Sequence, residues 1–359
     1  MALSRVPSVG AQLYRNLIQH FGDAATALGA PPRELLRVRG VARKTAALFG
    51  GELPYREADA VARFAERHPL QVLHVGGAGY PAALHEFATA PAVLYHYGTT
   101  NLDNPRRLAI VGSRNMSVGG HRQIERLLDP LSDHNALVVS GLAYGVDIAA
   151  HRRALQRELP TLAVLGSGFE HIYPYAHRRV AHEMTEQGGG LLSEYPPWQR
   201  PERAHFPARN RIVAMLTDMT VVVQSGLSGG SLITANMARD YGRVVGACPG
   251  EAGNPYTAGC NALIKHGKAL LIEEAQDITR ALHWGAATEA VAPQLPLLDD
   301  LDTDTRRVVE ALSKGERSMD ELRRSEGFVG PELSAALLTL ELRGLVAALP
   351  GRRYRLHHT

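Results

Sequence analysis

The sequence has few cysteines and few tryptophans, two of each in 359 residues. Cys248 and Cys260 have neither the C-x-x-C spacing nor the clustered histidines of the common metal sites. The pattern excludes those sites and favours a pair of reduced thiols, as in proteins of reducing compartments. We therefore expect no metal and no other cofactor.

Long apolar runs are also missing. The chain contains no stretch of eighteen apolar residues, and Arg5 and Pro7 interrupt its N-terminal segment. A membrane-spanning helix needs about 20 apolar residues, and a signal peptide needs a continuous apolar core. The sequence therefore predicts neither of them, and we expect a cytoplasmic protein.

A strong charge of one sign is absent, because the formal net charge is only +3. Residues 1–50 carry seven Arg or Lys against two acidic residues, whereas residues 296–359 carry ten basic and eleven acidic residues. The middle of the chain has no general basic field. A nucleic-acid site there has to be a local basic patch.

The middle of the chain alternates short apolar segments with turns and helical patterns. Each apolar segment ends in a turn that contains Gly or Ser, and the segments lie at 108–111, 136–139, 161–165, 191–192, 219–223 and 244–247. This alternation is typical of an α/β fold with a doubly wound, mostly parallel, extended Rossmann-like sheet. The turns should meet at one edge of the sheet, where ligands of open α/β sheets bind.

Composition also suggests how the chain divides into domains. We expect a helical domain over 1–55, an extended Rossmann-like domain over 56–283, an Ala- and Pro-rich linker over 284–298 and a winged-helix domain over 299–359. Residues 35–46 resemble a helix-hairpin-helix element around Gly40, which either contacts DNA or only packs helices. The third helix of the last domain has few basic residues, so it suits contact with a protein as well as with DNA.

The stretch 206–236 joins a basic cluster, a buried strand and a glycine-rich turn. The turn at 226–230 directly follows the apolar run 219–223. Glycines allow the backbone to approach a ligand closely, and the first N–H groups of the following helix attract anions. The turn predicts a phosphate site, although a tight strand-to-helix connection would have the same pattern. Arg209 and Arg211, just upstream, favour phosphate.

Residues 198–211 combine arginines with two aromatic rings, those of Trp198 and Phe206. Arginine binds phosphate bidentately, and an aromatic ring gives an unpaired base a surface on which to stack. The arginines that could meet these rings are Arg200, Arg203, Arg209, Arg211 and, from another turn, Arg114. Single-stranded DNA fits such a site better than duplex. The alternative is a solvated charged loop with Phe206 in the core.

Asp147 lies four residues before His151 within a predicted helix, so the carboxylate could hold the imidazole on one helix face. We expect this pair to support the turn at Ser140 and Gly141 rather than to catalyse a reaction.

Two motifs of known catalytic sites are present only in incomplete form. The turn at 226–230 lacks the spacing of a nucleophile elbow, and His182 lacks the second histidine of a metalloprotease motif.

Taken together, these pieces resemble the DNA-processing protein A family, DprA, also called Smf. The matching pieces are IVGSR at 110–114, SGLAYGVD at 140–147 with His151, GSG at 166–168, YP at 173–174, FPARNR at 206–211, GSLITA at 230–235, PG at 249–250 and GCNALI at 259–264. The resemblance implies a single-stranded DNA-binding protein that forms homodimers, protects incoming DNA and loads the recombinase RecA onto it during natural transformation.

The turns and the resemblance together define the predicted site. The predicted DNA-binding residues are Gly112, Ser113, Arg114, Ser140, Gly141, Gly166, Arg200, Arg203, Phe206, Arg209, Asn210, Arg211, Gly229, Gly230, Ser231 and Thr234, with Asp147 and His151 as structural support. The family usually has serine where this chain has Gly229, so a hydroxyl contact there is lost while the backbone donors remain.

A nucleotide enzyme is the competing hypothesis. Phosphoribohydrolases of the LOG type carry the motif P-G-G-x-G-T-x-x-E on a related fold. Aligned on Gly229 and Gly230, this chain has Leu232, Ile233 and Asn236 in place of the motif's Gly, Thr and catalytic Glu. We therefore expect a binding protein rather than an enzyme. A sensor that binds a free nucleotide at the same edge is a third possibility.

Overall fold

A nine-stranded sheet forms the core of residues 1–284. The structure is a computed structural model that describes residues 1–285, 302–313, 315–326, 328, 330–342, 345–349 and 353–356. It has two compact units, Met1–Trp284 and Gly285–Thr359. The predicted linker 284–298 falls almost entirely outside the described residues, and the predicted domain limits stay predictions.

The strands of the large sheet are β1 Leu70–His74, β2 Val93–Gly98, β3 Arg107–Val111, β4 Leu137–Ser140, β5 Thr161–Leu165, β6 Gly190–Ser193, β7 Met219–Val222, β8 Val244–Ala247 and β9 Leu270–Leu271. Their order is β1-β2-β6-β5-β4-β3-β7-β8-β9. All pairs from β6 to β9 are parallel, and only β1 with β2 and β2 with β6 are antiparallel. The predicted mostly parallel sheet is confirmed.

The helices of the first unit are α1 Ala2–Arg5, α2 Ala11–Phe21, α3 Ala24–Gly29, α4 Pro32–Leu35, α5 Arg43–Ala46, α6 Leu53–Ala65, α7 Val118–Leu128, α8 Val146–Gln156, α9 Arg178–Glu186, α10 His205–Leu216, α11 Gly230–Asp240, α12 Ala258–Lys265 and α13 Ala275–Ala281. Helices α1 to α5 enclose a small core of their own, with Leu3, Leu17 and Leu35 fully buried. Gly40, between α4 and α5, has a φ of 95°, which favours glycine.

Helices cover both faces of the sheet. Alternate residues of β3 point to opposite faces, as strand geometry requires. Ala109 and Val111 pack in the core beneath α10 and α11, whereas Leu108 and Ile110 pack beneath α7, α8 and α13. A strand that is buried on both faces is apolar throughout, which is why these strands could be recognised in the sequence.

The chain changes direction across the sheet at β3. From β3 it proceeds to β4, β5 and β6 on one side, and then crosses to β7, β8 and β9 on the other side. The carboxyl ends of β3 and β7 are adjacent, with Val111 paired to Val222. Such a reversal leaves a crevice outside the strand ends, where open α/β sheets bind ligands.

Helix α10 includes part of the arginine-rich stretch 198–211. No helix was predicted there, and a solvated charged loop was only the alternative to a nucleic-acid site, whereas the structure places His205–Leu216 in a helix. Residues 212–216 are all apolar and all buried. A helix that is apolar all round lacks the 3.6-residue periodicity by which an amphipathic helix is recognised in a sequence.

The second unit contains three helices, α14 Thr303–Ser313, α15 Met319–Glu326 and α16 Gly330–Leu342, and a sheet of β10 Arg317–Ser318, β11 Val346–Leu349 and β12 Arg353–Leu356. This is the predicted winged-helix arrangement. Helix α16 contains no Lys or Arg, so it offers no positive side chain to a DNA backbone. No helix among the described residues of the chain is long and apolar enough to cross a membrane.

Candidate nucleic-acid interface

A cavity of about 660 Å³ opens at the crevice between β3 and β7. The turn 112–114 after β3 lines one side of it, and the turn 225–230 after β7 lines the other. Helix α10 contributes Phe206 and Asn210 from a third direction. The structure thus brings together turns that are more than a hundred residues apart in sequence, at the edge where the sequence predicted a ligand.

The amino end of α11 faces this cavity. Gly229 precedes the helix with a φ of 154°, and no side chain caps the first turn. The first N–H groups of a helix have no partner within the helix, and the helix dipole makes this end attractive to anions. Gly229, Gly230 and Ser231 line the cavity, so the backbone at this helix end is placed to donate to an anion such as phosphate.

The turn after β3 is clamped between its neighbours. The N–H of Ser113 donates to the carbonyl oxygen of Gln224 at 2.7 Å, and the N–H of Val146 donates to the carbonyl oxygen of Ser113 at 3.1 Å. A Cβ on Gly112 would lie 2.4 Å from Cγ2 of Val146, and one on Gly145 would lie 2.1 Å from the Ser113 oxygen. Only glycine fits at either position. The two hydrogen bonds of Ser113 fix the position of the backbone from which the Arg114 side chain extends.

Two arginines in the cavity are unpaired. Arg114 and Arg203 both line the cavity and are exposed. Neither has an ion-pair or hydrogen-bond partner in the part of the chain that the structure describes. The only acidic side chain in the cavity wall is that of Asp147. The cavity therefore carries a net positive charge that is available to an anion.

Arg209 has a different role from the one predicted. Its side chain is 4% exposed, and its guanidinium donates to the carbonyl oxygens of Gly141, at 2.6 Å, and Val164. Burial lowers the pKa of Arg209 to about 10, while Asp147 opposes this shift, so the group stays charged near neutral pH. Arg209 is a structural residue that ties β4 and β5 to α10, and it is not a free phosphate ligand.

The guanidinium of Arg209 also explains why residue 141 is a glycine. A Cβ at this position would lie within 2.5 Å to 2.6 Å of the guanidinium atoms, so any side chain would displace Arg209. Gly141 does line the cavity. Its role as a DNA-binding residue stays a prediction, which rests on the shape of the backbone.

Four of the predicted residues do not line the cavity. Arg211 makes a bidentate ion pair with Glu194, at 2.5 Å and 2.6 Å, and also donates to Thr89. The hydroxyl of Ser140 is buried and donates to the oxygen of Ile110 at 2.6 Å. Gly166 lies behind the Phe206 ring, and Arg200 is exposed on the adjoining loop.

The remaining predicted polar residues are bound to their neighbours while they line the cavity. The hydroxyl of Ser231 donates to Ser225 at 2.9 Å, and that of Thr234 donates to the oxygen of Gly230 at 3.0 Å. Asn210 accepts a hydrogen bond from Arg209 at 3.1 Å, which leaves its amide N–H groups free to donate. These contacts stiffen the turn that presents the helix end.

The aromatic surface of the cavity differs from the predicted one. Phe206 lines the cavity, but Trp198 packs against the core formed by α6, β1 and β2. The second ring in the cavity is that of Tyr173, which is 46% exposed and lies 5.4 Å from Phe206 between ring centroids. Tyr173 was not among the predicted site residues, although the YP pair after β5 marks a ring beside a turn at the carboxyl edge.

Asp147 and His151 do not form the predicted pair. Asp147 accepts from the backbone N–H groups of Gly141, at 3.1 Å, and Ala143, at 3.3 Å. Nδ1 of His151 instead lies 2.7 Å from the hydroxyl of Thr161. Burial raises the pKa of Asp147, while Arg209 and the two N–H donors oppose this shift. Asp147 does hold the turn at Gly141, and His151 belongs to the core.

The hydrogen bonds fix the tautomer of His151. The Thr161 hydroxyl donates to the oxygen of Val138 at 2.9 Å, so it accepts from Nδ1–H of His151. Nε2 of His151 is buried without a partner among the described residues. Burial lowers the pKa of His151 to about 3, because no group stabilises the charged ring.

This neutral histidine predicts an acid-sensitive fold. Its pKa lies below the usual 6.5 in the folded state, so the unfolded chain binds the proton first, and stability is lost as the pH falls below about 6.5. Between about pH 7 and pH 5, the unfolding free energy of the wild type should therefore fall by roughly 2 kcal/mol more than that of the variant His151→Asn. Urea unfolding followed by fluorescence of Trp198 and Trp284 measures it.

The exposed His266 provides the control. His266→Asn should leave the pH dependence of stability unchanged, because this ring is exposed to solvent in the folded protein. An equal change in both variants would contradict the assignment to His151. His96, whose pKa burial lowers to about 4, should account for part of the slope that remains.

The described residues contain no group of three or more His, Cys, Asp or Glu side chains that could hold a metal ion. Cys248 and Cys260 are both buried, and burial raises the pKa of both thiols. The described arrangement is suited to holding an anion with backbone donors and arginines, beside two rings.

Comparison with protein families matches the chain along most of its length. The family described as DNA recombination-mediator protein A matches residues 71–283. The DprA winged helix domain matches residues 292–352, and the DprA-like N-terminal HHH domain matches residues 1–48. The three matches follow the order of the helical, sheet and winged-helix parts.

Individual relatives agree with these matches. A putative DNA processing protein DprA of Mycobacterium tuberculosis is 39% identical over 267 residues, which cover 73% of this chain and 68% of that protein. The X-ray structure of DNA processing protein A from Streptococcus pneumoniae has a TM-score of 0.67 and 31% identity, covering 78% of this chain and 95% of its own. A structure of the Helicobacter pylori protein, which concerns its single-stranded DNA binding mode, has a TM-score of 0.54 and 30% identity, covering 60% and 96%.

Proposed function

The chain belongs to the DNA recombination-mediator protein A (DprA/Smf) family, and from this premise we propose that it binds single-stranded DNA at the β3–β7 crevice as a DNA-processing protein of natural transformation. The observation that carries the proposal is the pair of unpaired arginines, Arg114 and Arg203, in a cavity that also holds the open end of α11. Phosphate is the ligand group that satisfies both features.

Charge in the cavity supports a polyanion. Two arginines face the cavity without a partner in the described chain, and the one carboxylate, Asp147, is 8% exposed and engaged by backbone N–H groups. An incoming phosphate therefore meets donors without having to break an existing ion pair. Uncompensated arginines of this kind release counterions from DNA when they bind, so the affinity should fall as salt is raised.

The rings support a single strand over a duplex. Phe206 and Tyr173 lie together in the cavity wall, where an unpaired base can stack on either of them. In a duplex the bases are paired and stacked on one another, so they cannot reach such rings. Stacking on an aromatic platform contributes about 1–3 kcal/mol per base and depends little on sequence.

The test is a titration of fluorescein-labelled oligo-dT, and of a duplex of equal length, followed by fluorescence anisotropy over a salt series. We expect tighter binding of the single strand. The logarithm of its affinity should fall with the logarithm of the salt concentration with a slope of about −1.4 or steeper, from two phosphate contacts. Stronger binding of the duplex would refute the proposal. It would direct attention to Arg37, Arg39, Arg43 and Lys44, which are exposed around the helix-hairpin-helix turn.

Nucleoside monophosphates test the enzyme and sensor alternatives. Asn236, which occupies the position of the LOG-type catalytic Glu, is exposed and does not line the cavity. We infer binding without bond-making, in which nucleoside monophosphates neither turn over nor compete at concentrations near the DNA dissociation constant. Turnover of any nucleoside monophosphate, measured by release of the base, would restore the enzyme hypothesis, and competition would restore the sensor.

We also propose that the protein acts as a homodimer and loads RecA, as the family resemblance implies. The outer strand of the sheet, β9, leaves one edge unpaired, and its Leu270 and Leu271 are about half exposed. An exposed apolar edge strand is a surface on which a second chain can pair. Two crevices on one DNA would raise avidity through effective concentration.

Sedimentation of the free protein tests the first part, and a stable monomer that binds long oligo-dT tightly would contradict it. DNA-dependent ATP hydrolysis by RecA tests the second part, which requires faster onset when the protein is present.

A further inference from the structure

A second concave surface lies beside the site, on the other side of Tyr173 and Pro174. We call it the aromatic groove and define it by Phe64, His68, Tyr97, Phe169, Tyr175 and Arg178, which line a cavity of about 850 Å³. The rings follow one another, with centroid distances of 4.2 Å from Phe64 to His68, 6.4 Å from His68 to Tyr97 and 5.6 Å from Tyr97 to Phe169.

The groove has features of a surface that meets a ligand rather than of a core. Tyr175 is 76% exposed, and His68 is also exposed. Tyr97 and Phe169 are half-buried, so each presents part of its ring. A row of aromatic rings with this exposure is unfavourable in water and offers flat surfaces for stacking.

Positive charge accompanies the rings. Arg178 lines the groove, is exposed and has no partner among the residues that the structure describes. Arg179, beside it, pairs with Glu183 at 2.9 Å. Glu170 is the groove's own acidic residue. Free guanidinium next to stacking surfaces is the combination that single-stranded nucleic acid requires.

Two routes of lining residues lead from the groove to the β3–β7 cavity. Tyr173 lines the cavity and Tyr175 lines the groove, and residues two apart in the chain are separated by about 7 Å at most. The second route passes through two smaller cavities of about 450 Å³ and 510 Å³. Arg114 joins the β3–β7 cavity to the first of them, Arg152 joins the first to the second, and Arg179 joins the second to the groove.

We propose that the aromatic groove is a second subsite for the same DNA strand, in which bases that leave the β3–β7 cavity stack on Tyr175 and the rings behind it while Arg178 neutralises a phosphate. The inference rests on the proposed function, since it takes the strand in the cavity as its starting point. It adds that the binding track extends along α9, away from the glycine turns.

The test compares a short and a long oligonucleotide, oligo-dT of about 4 and about 16 nucleotides, within the range of lengths that single-strand binding folds occupy. Tyr175→Ala combined with Arg178→Ala should weaken binding of the long oligonucleotide about tenfold and leave the short one unchanged. The logarithmic salt slope for the long oligonucleotide should fall by about 0.7, one phosphate contact. Anisotropy measures both, and sedimentation verifies that the oligomeric state is unaltered.

Matched controls exist on the same unit. Tyr55 is 47% exposed and Arg122 is exposed on α7, and neither lines the groove or the β3–β7 cavity. The combination of Tyr55→Ala with Arg122→Ala should change neither oligonucleotide. As a direct readout, photocrosslinking of bromodeoxyuridine near one end of the long oligonucleotide should label the peptide that contains Tyr175.

The outcomes separate the inference from the proposed function. If the groove variant binds both oligonucleotides as the wild type does, while loss of Arg114 weakens both, the groove is not a subsite for DNA. Equal weakening of both lengths would also overturn a separate subsite, because it would place Tyr175 in the primary site. If the wild type binds neither length, the proposed function itself fails.

Discussion

Replacing Arg114 and Arg203 together by alanine is expected to weaken the binding of oligo-dT about a hundredfold. Each arginine is exposed in the cavity wall and has no partner within the described chain, so each is free to donate to phosphate. A hydrogen bond to a charged group contributes about 1.5–3 kcal/mol, and 1.4 kcal/mol corresponds to a factor of ten in affinity. The logarithmic salt slope should fall by about 1.4, because two phosphate contacts are lost.

Two controls locate the effect. Arg122→Ala removes one positive charge from an exposed site on α7, outside the cavity, and should leave affinity nearly unchanged. Arg200→Ala tests whether the cavity or a general basic surface binds DNA, because Arg200 lies on the adjoining loop and not in the cavity wall. If Arg200→Ala weakens binding as much as the double variant, the strand does not enter the β3–β7 crevice.

The second large effect concerns stability. Arg209→Met should lower the unfolding free energy of the first unit by about 3–5 kcal/mol, which is the usual result of leaving a buried partner charge uncompensated. The substitution leaves the carbonyl oxygens of Gly141 and Val164 without their donor, and it leaves Asp147 without the nearby positive charge. Urea unfolding followed by the two tryptophans, both of which belong to the first unit, measures the loss.

A second substitution distinguishes this explanation from a simple packing defect. In the double variant Arg209→Met with Asp147→Asn, no buried charge remains, so part of the lost stability should return. Arg239→Met makes the same change on the exposed face of α11 and should cost less than about 0.5 kcal/mol. A loss at Arg209 no larger than that at Arg239 would show that the buried guanidinium is not needed.

Folded Arg209 variants should also bind DNA weakly. The guanidinium holds Gly141, which lines the cavity, so its loss displaces part of the wall without removing a phosphate contact. The expected signature is lower affinity with an unchanged salt slope. That signature separates Arg209 from Arg114 and Arg203, although all three were predicted from the same sequence features.

The sequence predicted much of the fold because the relevant signals are local. Residues 161–165 and 244–247 were expected as strands and are β5 and β8, since strands buried on both faces are apolar throughout. The glycine turns that follow them can be recognised in the same way, and parallel strands place such turns at one edge. The position of the site followed from this argument, without any knowledge of strand order.

Some features were missed or placed wrongly for reasons that are also physical. Helix α10 was not predicted, because its apolar half is buried on all sides and shows no helical period. Trp198 was expected in the site, because an aromatic ring beside arginines is a frequent feature of nucleic-acid surfaces. Its ring packs against the core beneath α6, and nothing in the neighbouring residues distinguishes the two locations.

By itself, the sequence determined the α/β class, the glycine turns, the edge at which they meet and the family to which the chain is similar. The tertiary structure alone decided which arginines are available to a ligand. Arg209 is buried because carbonyl oxygens from β5 and from the turn after β4 converge on it, and Arg211 is engaged because Glu194 lies opposite. Arg114 and Arg203 have no such neighbours among the described residues. Pairing of this kind depends on residues far apart in the chain, and it exists only once the strands and α10 have packed.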